Sequence, residues 1–243
     1  MDLKNVVSNY IYSNLLSEIK TEKRCVINTI NPHSYCIAKQ DNLFSEALIS
    51  SDVLLPDGYG IVLATKILTG RKIKKIAGAD IHKFLLEQAD LKSNKVFYLG
   101  SSCKTLALIE KKIKKEYPKI KLSKFSPPYK KEFDQSDTKL MIEKVNSFQP
   151  DILFVGMTAP KQEKWVFQNK SSLNATVICS VGAVFDFYGG TIKRSGEFWI
   201  KLGLEWFPRF LKEPVRLFRR NFISSPKFIV EILTFKVFGK SIL

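Results

Sequence analysis

The sequence predicts an α/β chain: a mostly parallel sheet with helices on both faces, followed by a basic, amphipathic helical appendage. Three observations predict it. Short apolar runs alternate with longer segments of helical periodicity from about residue 25 to residue 190. Several of those runs end in glycine or a small polar residue, as strand-to-helix corners do. Beyond Gly189-Gly190 the composition shifts, and residues 193–243 hold eleven Lys/Arg against four Glu, interleaved with ten Phe and Trp. The alternation is Rossmann-like, which gives a sheet domain over residues 1–190 and an appendage over 191–243.

The elements follow in order. Val6, Val7, Tyr10, Ile11, Leu15, Leu16 and Ile19 predict a leading helix over residues 1–20. Cys25-Val26-Ile27 is a short strand running into Thr29-Ile30-Asn31. Asn31 as cap and Pro32 at a first helical position open a helix to about Ile49. Val53-Leu54-Leu55 is a buried strand stopped by Pro56, which lacks an N–H donor. Ile61, Leu63, Ala64, Ile67 and Leu68 then recur at helical spacing up to Gly70.

Gly78-Ala79-Asp80 precedes another helix, and Lys95–Leu99 is a strand ending at Gly100. A helix from about Lys104 to Tyr117 is closed by Pro118. A weak strand from Ile120 to Phe125 leads to a loop at Pro127-Pro128, and Ser136–Phe148 is helical. Ile152–Gly156 is a strong buried strand, followed by a helix from Pro160. Ala175–Val181 is the last strand.

Composition narrows the function. At 243 residues, 45% hydrophobic and 26% charged, the chain buries a substantial core. The net charge of +16 calls for an anionic partner: nucleic acid, anionic lipid or a phosphorylated substrate. Four scattered cysteines and two histidines, none at metal-ligand spacing, argue against a zinc site and suit reduced thiols. The first fourteen residues lack the apolar core of a secretory signal, and no uncharged run approaches the roughly 20 residues that span a bilayer. The expected place is the cytoplasmic side.

Four corners carry polar or glycine-rich residues: Thr29/Asn31, Asp57-Gly58, Gly100-Ser101-Ser102, and Gly156 through Glu163. In a parallel sheet they share one edge and face one crevice. Asp57, read alone, is an Asp-Gly turn residue; in this company it is a carboxylate at a ligand-binding edge. Gly100-Ser-Ser-Cys-Lys104-Thr105 is a phosphate seat at a helix N-terminus. It lacks the second glycine of a P-loop, and no Gly-x-Gly-x-x-Gly occurs. With no Asp-x-Asp either, a mechanism without metal or cofactor is expected, in which cationic side chains neutralise a diphosphate. Pro160-Lys161-Gln162-Glu163 reads locally as a helical first turn with Glu favourably set against the dipole.

Several motifs stand in one order: Thr29-x-Asn31, Pro56-Asp57-Gly58, Gly78-Ala79-Asp80, Pro160-Lys161-Gln162-Glu163-Lys164-Trp165, Val181-Gly182-Ala183-x-Phe185-Asp186, and Gly203-Leu204-Glu205-Trp206-Phe207-x-Arg209. With Glu213-Pro214-x-Arg216 and Arg219-Arg220, they resemble the WecG/TagA/CpsF family of bacterial glycosyltransferases over roughly residues 25–221. The resemblance implies an inverting, metal-independent transfer from a UDP-sugar, typically UDP-N-acetylmannosamine, to a polyprenyl-diphosphate-linked N-acetylglucosamine. It also implies a C-terminal appendage that docks on the membrane, hence a peripheral enzyme on the inner face of the plasma membrane. Asp57 then resembles the general base, while Thr29, Asn31 and Gln162 resemble sugar or acceptor contacts. Lys75, Gly100, Lys161, Gly182 and Asp186 fall among the substrate-binding positions. Arg209, Arg216 and Arg219 match appendage arginines that close over the diphosphate. Lys75 stands where the family commonly has Arg, and a point charge lacks the guanidinium fork. Met157-Thr158-Ala159 and Ser195-Gly196 are further departures.

Two readings of other classes compete: a basic nucleic-acid-binding protein and a catalytically silent membrane scaffold of the same fold. Charge densest in an amphipathic tail, with no recognition-helix or RNA-binding signature, favours the enzyme without nucleic acid. Oligomeric state stays open, with a homo-oligomer among the options.

Overall fold

The computed structural model describes residues 1–192, Trp199 and residues 217–240. Among the described residues, six strands form one all-parallel sheet: β1 (Cys25–Ile30), β2 (Val53–Pro56), β3 (Lys95–Gly100), β4 (Lys121–Phe125), β5 (Ile152–Gly156) and β6 (Val177–Ser180). Their spatial order is β2-β1-β6-β5-β3-β4. The chain leaves β3 outward to β4 and returns on the other side as β5, so the connections after β3 and β5 diverge. Crevices open at such points on the carboxyl edge of a sheet.

Among the described residues the α-helices are α1 (Leu3–Asn5), α2 (Pro32–Ala38), α3 (Asn42–Ile49), α4 (Tyr59–Thr69), α5 (Gly78–Lys92), α6 (Cys103–Glu116), α7 (Gln135–Phe148), α8 (Lys161–Asn169), α9 (Val184–Gly189) and α10 (Ser225–Phe238), with π-helical stretches at Val6–Tyr10 after α1 and Arg219–Ser224 before α10. Both sheet faces are covered, and so the central strands read as unbroken apolar runs. On one face Ile27, Tyr98, Phe154 and Cys179 pack against Leu85 of α5, Ile109 of α6 and Phe185 of α9. On the other, Val26, Phe97, Val155 and Ile178 pack against Val145 of α7 and Trp165 and Val166 of α8.

A third cluster at the β2 end joins Leu3, Val7, Ile30, Tyr35, Leu54 and Ile61 to Phe228, Ile232 and Phe235 of α10. Part of the basic tail is therefore core. Glu231, 2% exposed, accepts hydrogen bonds from Tyr35 Oη at 3.0 Å and Lys39 Nζ at 2.8 Å, pinning α10 to α2. The outward side of α10 keeps Ile229, Val230, Leu233, Val237 and Phe238 in solvent. Among the described residues, no helix is long and apolar enough to cross a membrane.

Some boundaries differ from the sequence expectation. The expected helix over 1–20 is α1 continued by the π-helical stretch Val6–Tyr10 and stops there, because Ile11 turns extended and bridges Leu54, with Tyr12 N–H donating to Leu54 O at 3.0 Å. The expected helix 32–49 is two, since Asp41 caps a fresh start through Phe44 N–H at 2.9 Å. Pro56 is the last residue of β2 rather than beyond it; it pairs in register with Ile30, and its carbonyl accepts from Ile76 N–H. The last strand is shorter, and α9, which follows it, had no periodicity long enough to announce it.

Candidate active site

The carboxyl ends of β1, β2, β3, β5 and β6 surround a cleft of about 950 Å³. Thr29, Asn31, Asp57 and Gln162 all line it, as do Gly100, Lys161, Gly182 and Asp186. Residues gathered from across the chain thus meet at one sheet edge. Lys75 does not line the cleft; its Nζ lies 5.3 Å from the centre of the Tyr59 ring. Arg219 is exposed beside the cleft, and its neighbour Arg220 is the arginine that lines it. Arg209 and Arg216 lie outside the described residues.

Each corner has a local cause. Asn31 Oδ1 accepts from His33 N–H and Ser34 N–H, both at 3.0 Å, capping α2. That leaves the Asn31 amide group for a ligand. Asp57, half-buried, follows Pro56 directly, and its N–H donates to Ile30 O at 2.9 Å. This bond extends the β1–β2 pairing one residue past the strands and fixes the Asp57 backbone against β1.

At the β3–β5 crevice Gly100 pairs in register with Gly156. Gly100 has φ +120°, and a Cβ there would collide with the Gly156 carbonyl. A Cβ at Gly156 would in turn collide with the Phe185 ring, so both positions need glycine for the β3–β5 corner to close. Ser102 then caps α6 through Thr105 N–H at 3.1 Å.

The α8 corner is buried. Gln162 Oε1 accepts the Met157 N–H at 3.0 Å, and Gln162 Nε2 donates to Glu163 Oε1 at 2.8 Å. Glu163 is 3% exposed, and burial pushes its carboxyl up to about 7. From the sequence, this Glu is a first-turn carboxylate set against the helix dipole, with its burial not anticipated. The overlooked signal is spacing, because positions 162 and 163 precede the core residue Val166 by four and three.

Lys161 Nζ donates to Lys130 O at 2.6 Å and lies 4.3 Å from the Phe133 ring centre; burial lowers its pKa. Across the cleft, His33 Nδ1 is 2.8 Å from Ser224 Oγ. Burial, then Arg220 and Arg219, hold the imidazole below its usual pKa. His33, Glu163 and Arg220 line the cleft although the sequence does not single them out as site residues. Among the described residues, no three His, Cys, Asp or Glu converge as a metal site would require.

The family model for "Glycosyl transferase WecG/TagA/CpsF family" matches residues 1–241. The chain is 33% identical over 232 residues to the N-acetylglucosaminyldiphosphoundecaprenol N-acetyl-beta-D-mannosaminyltransferase of Bacillus subtilis strain 168, covering 92% of this chain and 88% of that one. The protein of the same name from Bacillus spizizenii is 31% identical over 87% of this chain and 79% of its own length. That from Staphylococcus aureus strain MW2 is 27% identical over 85% and 78%. A cleft built from the motif residues, on a parallel sheet matched along its whole length, has one consistent meaning: the chain belongs to the WecG/TagA/CpsF family and is a glycosyltransferase.

Proposed function

We propose that this glycosyltransferase moves an N-acetylmannosamine-type sugar from a UDP-sugar to a polyprenyl-diphosphate-linked N-acetylglucosamine, with inversion and without a metal. The observation that carries the reading is the convergence of Asp57, Thr29, Asn31 and Gln162 on one cleft. The names of the three relatives support the acceptor and the sugar.

Inverting transfer needs a base on the acceptor hydroxyl, opposite the leaving group. Asp57 is our choice, being a half-buried carboxylate on a backbone tied to β1. The UDP diphosphate would sit at the Gly100–Ser102 turn, against the N-terminus of α6, where free N–H groups favour anions. Negative charge gathers on UDP as the bond breaks. Lys161 and Arg220 line the cleft to meet it, with Arg219 beside them. In this reading Arg209 and Arg216 join them from the appendage, and Lys75 acts from outside the cleft lining.

The lipid acceptor accounts for the tail. The outward apolar side of α10 and the exposed rings of Phe218 and Phe222 would enter the headgroup region of the inner leaflet, while neighbouring Lys and Arg meet its anionic lipids. The family match favours a glycosyltransferase over a nucleic-acid-binding protein.

A panel of UDP-sugars, each offered with a synthetic polyprenyl-diphosphate N-acetylglucosamine in EDTA, tests the proposal. Transfer from UDP-N-acetylmannosamine at full rate is expected. Silence across the panel refutes the donor class, and loss in EDTA restored by Mg²⁺ refutes the metal-free step.

A further inference from the structure

Glu163 takes no part in the scheme above, yet it is a fully buried carboxyl on the cleft wall. Its Oε1 accepts from Gln162 Nε2, and its Oε2 is buried without a partner. Leaving such a group half-satisfied in the interior costs stability, where a leucine would cost nothing of the kind. Folding alone gives no reason to keep it.

The reason lies in the neighbouring amide. A primary amide has two N–H donors and a carbonyl with two lone pairs. Gln162 spends one lone pair on Met157 N–H and one donor on Glu163. With a bond at each end, Nε2 and Oε1 cannot exchange places, and one N–H remains for the cleft. Gly182 keeps that group reachable, because a Cβ at 182 would lie 3.2 Å from Gln162 Oε1 and 3.4 Å from Nε2. Without Glu163 the amide is held at one end only, and the broad terminal torsion of Gln lets its Nε2 turn away.

We propose that Glu163 is a positioning residue that locks the Gln162 amide with its remaining N–H presented to a sugar oxygen of the substrate. This rests on the transfer reaction proposed above. Glu163 itself touches no substrate and works only through Gln162. Its raised pKa suits the role, since either protonation state leaves Oε1 able to accept.

The test is a double-mutant cycle on the full chain, with sugar transfer and UDP binding measured for Glu163→Leu, Gln162→Ala, the double variant and Glu163→Gln. Glu163→Leu is expected to lose about 10²-fold in kcat/KM, the effect of a displaced contact, while UDP affinity stays within about twofold. Glu163→Gln, which keeps a carbonyl oxygen as acceptor, recovers most of that loss. The double variant is no slower than Gln162→Ala alone. Unchanged transfer in Glu163→Leu, or losses that add in the double variant, overturn the assignment. Should Glu163→Leu lose UDP binding, Glu163→Met replaces it in the cycle under the same two criteria. Wild-type protein that binds UDP but transfers no sugar removes the proposed reaction itself; wild-type transfer with an indifferent Glu163 removes only this inference.

Discussion

His33 Nδ1 lies 2.8 Å from the hydroxyl of Ser224, which joins the first turn of α2, at the cleft, to the segment that enters α10. One hydrogen bond thus ties the wall of the site to the element that carries the outward apolar face. Cys36 Sγ makes a second tie, to the Ser224 carbonyl at 3.5 Å. Changes at the surface of α10 therefore have a short route to the cleft.

That tie has a pH dependence with a defined sign. Burial and the two nearby arginines hold folded His33 below the ordinary value of 6.5, so between those values the unfolded chain binds the extra proton. Stability from this group is complete above 6.5 and declines as pH falls below it. Denaturation midpoints of wild type and His33→Gln should converge on acidification from pH 7.5 to 5.5. A constant difference would contradict the account.

Glu163 gives the opposite slope. Its unfolded carboxyl releases a proton near 4.5 and its folded one near about 7, so the folded state binds more protons within that window. The cost is absent below 4.5, grows through the window and is complete above 7, on the order of 3 kcal/mol. Glu163→Gln should therefore gain stability over wild type with rising pH in urea titrations at pH 5, 6.5 and 8. A flat difference would mean that the buried carboxyl does not titrate there.

Gly182 holds φ +38° against the Gln162 amide. Gly182→Ala adds strain of roughly 1–3 kcal/mol and crowds the group that faces the sugar. Transfer should fall at least tenfold while the far-UV circular dichroism stays that of wild type. Full activity would show that the amide needs no open approach at this point.

Leu233 and Val237 lie on the outward side of α10, away from the Phe228–Ile232–Phe235 stripe that packs on the core. Changing both to Ser should leave the melting temperature within a few degrees, since neither is buried. Binding to anionic vesicles should weaken about tenfold per residue, in line with the 1.5–3 kcal/mol of burying a large apolar side chain. Unaltered vesicle binding would remove α10 from the membrane contact.

The sheet was legible because its strands are buried on both faces, and runs such as Ile152–Gly156 have no other comfortable state. The corners were legible because parallel strands bring Asn31, Asp57, Gly100 and Gly156 to one edge whatever the strand order. What escaped depends on long-range contact. Nothing local reveals that Ile11 pairs with Leu54, cutting short a helix that periodicity alone would extend. Phe228, Ile232 and Phe235 read as an amphipathic tail, because the surface they fill comes from α1, α2 and α4, far away in the chain. The burial of Glu163 escaped because its position in a first turn already explains a carboxylate, and only packing makes it buried.

The most direct test of the account is transfer of N-acetylmannosamine from its UDP donor to polyprenyl-diphosphate N-acetylglucosamine by Asp57→Asn beside wild type, with UDP binding followed in parallel. Loss of a positioned base predicts a fall of roughly 10²–10⁴-fold in kcat with UDP affinity unchanged. Asp57→Asn turning over at the wild-type rate would contradict the assignment of Asp57 as the base, and with it the mechanism built on this edge of the sheet.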